Sequence, residues 1–371
     1  MLKSLYVHFP YCKHLCNYCD FYKHKLTESS QIDTYLELMD VQVRELVKLN
    51  DFHGESFDLL DTLYIGGGTP SLLKPDKMKQ LLDNFSKVGL SLNSNYEFTI
   101  EIDPGTFNLE ELEAWKELGV NRFSLGVQAY NEKYLRLLDR RHDLSEVTLS
   151  LEYLSKTKSN FSVDLIIGTP ESEARDLIQE IEQLSDFSPS HFSVYILSTR
   201  LNYPLKEKLP DEEKIRDDYL EVSRQLEKLG FHHYEVSNFA KTETMESVHN
   251  KKYWDYESVA AVGPNATGTI CKPDKVFRYQ WKSLSGGFQT EEVKGESLIL
   301  EKLFLALRRS KSFNLQSILG MNISQQYLKT KVENWHQLGY VEPGSDLENL
   351  KITPLGFLMN DSMLGDLMDI I

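Results

Sequence analysis

Six short runs rich in β-branched and aromatic residues, each followed by a stretch with helical spacing, decide what this chain can fold into. The runs lie at residues 5–9, 62–65, 97–101, 122–126, 161–167 and 191–197. Between the first two, Ile32, Tyr35, Leu36, Met39, Val43, Leu46 and Val47 recur at the spacing of one helix face. Further helical stretches fall at 109–118, 145–157 and 171–184, and another at 211–229 has an acidic first turn and Gly230 just past its end. Such alternation implies a parallel sheet, and right-handed crossovers bring the loops that follow the strands to one edge. Six units are too few for a closed eight-stranded barrel. The expected fold is therefore α/β, an open (β/α)6 partial TIM barrel with its chemistry at the C-terminal edge of the strands. Around residue 245 the alternation stops, which divides the chain into a barrel domain, 1–245, and a smaller domain, 246–371. Helical patterns at 298–307, 323–338 and 350–363, with turn residues Pro343-Gly344 between short apolar runs, give the smaller domain a mainly helical, winged-helix-like reading.

The first strand runs straight into Cys12, Cys16 and Cys19, three of the four cysteines of the chain spaced Cys-x3-Cys-x2-Cys. Thiolates this close on a loop can converge on zinc or on an iron–sulfur cluster. Structural zinc normally takes four protein ligands, and only His14 and His24 stand nearby as weak candidates. Three cysteines leave a cubane cluster with one iron free to bind a small molecule.

Composition narrows the partners. The 371 residues are 41% hydrophobic, enough for a sizeable core. They carry 56 Asp and Glu against 41 Lys and Arg, a net charge of -15, which works against a broad phosphate-binding surface and hence against nucleic acid. The N-terminus lacks the pattern of a secretory signal, and no apolar run reaches the roughly 20 residues of a membrane span. A cytoplasmic protein with no integral membrane segment is expected, and the few clustered cysteines fit a reducing compartment.

The second strand ends in Gly66-Gly67-Gly68-Thr69-Pro70, where missing side chains let backbone approach a ligand. Polar residues also mark the other strands and the loops after them, namely Glu101, Gln128, Arg140 and Asp164. Singly each reads as an ordinary half-buried or surface residue; taken together they match one family.

With these motifs the chain resembles the radical S-adenosylmethionine (SAM) proteins, in which the amino and carboxylate groups of SAM chelate the fourth iron of a [4Fe–4S] cluster. Tyr18 within the cysteine motif fits that family as well. Segments 122–128, 140–142 and 234–240 are similar to its coproporphyrinogen-oxidising branch. That resemblance implies that Cys12, Cys16 and Cys19 hold the cluster and that Tyr6 lies near the bound SAM. It implies that Gly67, Gly68 and Thr69 meet the methionine part of SAM, and that Glu101, Gln128, Arg140 and Asp164 contact its polar groups. Ile196 and Thr267 would be lesser contacts. Reduction of the sulfonium by the cluster would then yield a 5'-deoxyadenosyl radical.

Three features resemble the HemW-type heme chaperones within that branch. Only eleven residues precede Cys12, Asp20-Phe21 follows Cys19 where the coproporphyrinogen dehydrogenases carry a further cysteine, and residues 249–254 read His-Asn-Lys-Lys-Tyr-Trp. The resemblance implies heme as cargo, His249 as its axial ligand and heme-acceptor proteins, such as respiratory ones, as partners. One departure stands out, because Gly263-Pro264-Asn265-Ala266-Thr267-Gly268 lacks the histidine usual in the family's Gly-Pro-Gly-Ala-His-Ser. Cys271 is expected to be a buried structural thiol. The rivals are an oxygen-independent coproporphyrinogen III dehydrogenase, which converts propionates to vinyls, and a radical enzyme acting on an unrelated substrate. Whether the chain is itself an enzyme stays open at this point.

Overall fold

The computed structural model describes residues 1–284, 287–320 and 323–368. All six expected strands are present as β1 Leu2–Phe9, β2 Phe57–Gly67, β3 Leu92–Ile102, β4 Arg122–Gln128, β5 Phe161–Ile167 and β6 His191–Ile196. They lie side by side in chain order, each parallel to the next. The helices between and after them are α1 Ser30–Phe52, α2 Pro75–Lys87, α3 Leu109–Glu117, α4 Glu132–Leu137, α5 Leu144–Lys156, α6 Leu177–Ser185 and α7 Glu212–Lys228. Asn108 and Asp143 start α3 and α5 with capping boxes to Glu111 and Glu146, which fix where two of the crossovers turn back.

The strands alternate in character because successive side chains point to opposite faces. Leu5, Val7, Leu63, Ile65, Phe98, Ile100, Phe123, Leu125, Val163, Leu165, Phe192 and Val194 are buried in the main core with the apolar faces of the helices. Tyr6, Thr62, Tyr64, Glu101, Arg122, Ser124, Ser162, Asp164 and Ser193 occupy the opposite face. The curved sheet therefore has a greasy outside and a polar inside.

The barrel stays open. At one edge β7 His232–Glu235 and β8 Asn238–Ala240 form a hairpin whose second strand pairs antiparallel with β6. At the other edge β9 Ala260–Val262 pairs in parallel with β1. The alternation does end near residue 245, yet the sheet continues beyond it, since β9 belongs to the barrel and so does α8 Val248–Trp254, which packs on β2. A three-stranded antiparallel sheet follows, made of β10 Thr267–Cys271, β11 Lys275–Trp281 and β12 Phe288–Lys294. Its strands escape a sequence reading because most positions of β12 are exposed and charged or polar, which erases the alternation. The helices α9 Glu296–Ala306, α10 Leu315–Leu319, α11 Gln325–Gln337, α12 Pro354–Leu358 and α13 Asn360–Met368 complete the smaller part. Antiparallel bridges join Val341 to Ile352 and Phe313 to Leu350 among these helices.

A buried ion pair pins the strand ends that carry Gln128 and Ile166. Arg175 donates to both carboxylate oxygens of Glu180 at 2.8 Å and to the Ile166 carbonyl at 2.6 Å, and Glu180 also accepts the Tyr130 amide at 2.7 Å. Removing one member of such a pair strands a buried charge. Arg175→Ala is expected to lower the unfolding free energy by about 3–5 kcal/mol, and Arg175→Met with Glu180→Leu by much less, as measured by urea denaturation of the three proteins.

Candidate functional site

The cysteine loop is closed at its base by a two-residue parallel ladder in which Tyr11 pairs with His24 and Cys12 with Lys25. The glycine turn is stitched to the same segment, because the Gly68 amide donates to the Phe9 carbonyl at 2.7 Å and the Thr69 amide to the Tyr11 carbonyl at 2.8 Å. This explains the glycine. A Cβ at position 68 would lie 2.6 Å from the Tyr11 carbonyl oxygen. The three cysteines line one chamber of about 260 Å³ together with Gly67, Gly68, Thr69, Asp103 and Arg140. Among the described residues no three His, Cys, Asp or Glu side chains are grouped so as to hold a single metal ion. The three thiols share one chamber, as the ligands of a single cluster would. His14 also lines the chamber, with its Nε2 3.0 Å from Asp139. Burial pushes the Cys12 thiol up to about 11 and the Cys16 thiol up as well, the first opposed by a Thr69 hydrogen bond and the second by the Arg140 charge. A bound cation would offset that cost, since thiolates are the ligating form.

A second cavity of about 430 Å³ lies on the far side of the glycine turn and shares Gly67, Gly68, Thr69, Asp103, Arg140, Tyr18 and Cys19 with the chamber. Eight of the ten residues expected around SAM line it: Gly67, Gly68, Thr69, Glu101, Gln128, Arg140, Asp164 and Ile196. Glu101 accepts from the Gly67 amide and the Tyr64 hydroxyl, both at 2.9 Å, and burial pushes its carboxyl up to about 7. Asp164 accepts from Ser124 at 2.7 Å and Ser162 at 2.9 Å, and burial raises it too. Gln128 has a left-handed backbone, φ 66°, and a Cβ on Gly126 would come within 2.7 Å of both the Gln128 amide nitrogen and Asp103.

Asp103 was not among the expected residues, yet it joins the two spaces. It accepts from Arg140 at 2.5 Å and Thr69 at 3.1 Å, while Arg140 reaches the Cys16 sulfur at 3.9 Å. The signal was present, since Asp103 stands two residues beyond Glu101 on the same face. Tyr64 is a second omission, recoverable in the same way from its position two residues before the glycine turn.

Tyr6 and Thr267 line a separate cleft of about 270 Å³ with His8, Tyr22 and Tyr253, and Asp20 and Phe21 divide that cleft from the main cavity. The His8 Nε2 proton goes to the Tyr22 carbonyl at 2.8 Å, which leaves Nδ1 to accept from the Tyr6 hydroxyl at 3.0 Å.

His249 lies in none of these spaces. It is 2% exposed, on α8 against the barrel interior, with Nδ1 2.8 Å from the Thr62 hydroxyl and Nε2 3.4 Å from the Tyr253 hydroxyl. Burial drives its pKa down to about 3, which keeps the ring neutral. The Val248 and His249 amides both donate to the Glu97 carboxylate at 2.9 Å, so α8 is tied to β3. An axial role for His249 therefore requires α8 to move. Cys271, expected to be buried, is half-buried on β10 and lines neither the chamber nor the other cavities.

Residues 6–184 match the model of the radical SAM superfamily. The chain is 34% identical over 325 residues to the heme chaperone HemW of Bacillus subtilis, covering 83% of this chain and 84% of that one. It is 29% identical over 382 residues to the HemW of Buchnera aphidicola from Schizaphis graminum, covering 99% and 98%. The chain belongs to the HemW family of radical SAM proteins. The coproporphyrinogen III oxidase HemN of Escherichia coli superposes on the whole of it with a TM-score of 0.80 and 19% identity, covering 90% of that protein. That likeness is one of fold, and it bears out the open barrel of this HemW relative.

The raised carboxyl of Glu101 predicts a pH effect. Its ordinary value is 4.5, so between there and about 7 the folded protein holds a proton that the unfolded chain has lost. The stability this contributes is fully present below about 4.5 and is lost as pH rises through about 7. Ligand-free protein should lose up to about 3 kcal/mol from this group across that window. Glu101→Gln should remove that share of the slope, so its stability relative to the parent rises from pH 5 to 8 in urea titrations.

Proposed function

We propose that this HemW-family chain is a cytoplasmic heme chaperone that holds a [4Fe–4S] cluster and SAM, carries heme and passes it to acceptor proteins, respiratory ones among them. The observation that carries the reading is that the cysteine chamber shares Gly67, Gly68, Thr69 and Arg140 with a neighbouring cavity lined by carboxylates. The heme part of the reading rests on the likeness to relatives that are heme chaperones and on the His249-to-Trp254 segment, and the absence of a fourth cysteine at Asp20-Phe21 sets the chain apart from the coproporphyrinogen-oxidising enzymes.

Cys12, Cys16 and Cys19 would ligate three irons, and the cluster when bound would supply one electron to the sulfonium of SAM. The chain's own residues would do the rest. The glycine turn lets SAM approach its backbone, the charges of Glu101 and Asp164 face a cationic ligand, and Arg140 balances charge beside Cys16. Tyr6 and Thr267 border the aromatic cleft next door. No helix among the described residues is long and apolar enough to cross a membrane.

His249 is proposed as the heme ligand in a state with α8 lifted from the barrel. Anaerobic heme titration of the reconstituted protein should saturate near one heme per chain. His249→Ala should weaken binding at least about tenfold, as loss of a ligand exceeds the 10–100-fold effect typical of its supporting partners, with cluster absorbance unchanged. Thr62→Val, which frees Nδ1, should retain heme binding. Equal affinity in His249→Ala would remove this residue from the site, and a vinyl product from coproporphyrinogen III would return the enzyme reading.

A further inference from the structure

Lifting α8 has a cost, and the contacts of the helix show what sets it. Of its seven residues only His249 is buried, so apolar burial is a small part of its attachment. Polar contacts hold it instead. The Val248 and His249 amides have no acceptor inside the helix, and both donate to Glu97, one to each carboxylate oxygen. The Asn250 amide is met by Ser247 within the same segment and needs nothing from the barrel strands. Farther along, Lys252 reaches Asp61 of β2 at 3.4 Å but is closer to Glu257 of its own segment, at 2.7 Å.

Thr62 and Glu97 are direct partners across β2 and β3. Side by side on the polar face, they grip one residue at two points, Thr62 at the His249 ring and Glu97 at its amide. While the carboxylate holds that amide, the ring stays in the barrel. The segment that carries α8 is anchored at both ends, by β8 at one edge of the sheet and by β9 at the other, so α8 can leave the interior and return.

We propose that Glu97 is a positioning residue for heme, a latch whose hold on the first two amides of α8 keeps His249 withdrawn and so sets the heme affinity of the chain. The proposal rests on the reading of His249 as the heme ligand. Bonds from helix amides to a carboxylate are charge-assisted and favoured at a helix start. A ligand that binds only the lifted state loses apparent affinity in proportion to the fraction of molecules lifted, and breaking the latch raises that fraction. Removal of a native contact therefore improves binding, the opposite of what loss of a merely structural residue does.

Two variants break the latch from its two sides. Glu97→Gln leaves one acceptor and turns an NH2 group toward the other amide. Val248→Pro removes one donor and keeps the Glu97 charge that acts on Arg122. Proline is accommodated at the first position of a helix, and Ser247 before it already has extended backbone. Anaerobic titration of the full-length, cluster-reconstituted proteins with ferric heme should give binding at least about tenfold tighter in each variant than in the parent, with cluster absorbance unchanged. Adding His249→Ala to either variant should abolish the gain. Hydrogen exchange read by mass spectrometry should be faster over residues 248–254 in both variants and unchanged over β1 and β5. Heme affinity no tighter than the parent's in variants whose α8 exchanges faster overturns the proposal, as does unchanged exchange over α8. A gain confined to Glu97→Gln overturns it too, because it traces to the charge and not to the amides. Equal heme affinity in the parent and in His249→Ala overturns the reading of His249 instead, and faster exchange over α8 in both variants then still upholds Glu97 as its latch.

Discussion

A curved sheet with an apolar outside and a polar inside has to do something with its inside, and most of this structure is an answer to that constraint. Ordinary parallel sheets bury both faces and read as near-continuous hydrophobic runs. Here Tyr64, Glu101, Ser124, Asp164 and Ser162 face a lumen where each needs a partner, because an unpaired buried polar group costs roughly 1–3 kcal/mol. Part of the demand is met across the strands, as Tyr64 and the Gly67 amide satisfy Glu101 and two serines satisfy Asp164. Other members stay short of partners, including the Arg122 Nε and the Thr99 hydroxyl, both buried without a hydrogen bond. A helix below relieves part of what the strands alone cannot, at Thr62 and Glu97.

The helix is α8. Its first amides land on Glu97 and its histidine on Thr62, so a segment from beyond the alternating region supplies the donors that the lumen lacks. The His249 ring lies 5.1 Å from that of Tyr64, whose hydroxyl is bonded to Glu101. The floor and the upper cavity of the barrel thus meet through one tyrosine. A carboxyl held near neutrality and a histidine held neutral are both consequences of the same low-dielectric interior.

How much of this was legible depended on whether the information was local. Strand and helix order could be read because alternation and helical spacing are properties of short windows. The cysteine loop and the glycine turn could be read because their chemistry is contiguous. Glu101, Gln128, Arg140 and Asp164 needed the resemblance to a family, since no window of sequence shows that three separate strands and the loop after α4 converge. Asp103 was passed over although it sits in phase with Glu101, because its Pro104-Gly105 neighbours read as a turn. The burial of His249 was invisible, as its partners Thr62 and Tyr64 lie far away in the chain. The return of β9 to the sheet was invisible for the same reason, since its partner is β1.

Asp20 and Phe21 line both the main cavity and the aromatic cleft, and Asp20 is further held by Arg200 from the loop after β6. A wall two residues thick that faces both ways ties the shapes of the two rooms together. A larger side chain at either position narrows both, and a smaller one merges them into a single volume. Selection for a different cargo or cosubstrate therefore cannot retune one room through these positions without altering the other, which makes this short segment a point where the evolvability of the fold is limited.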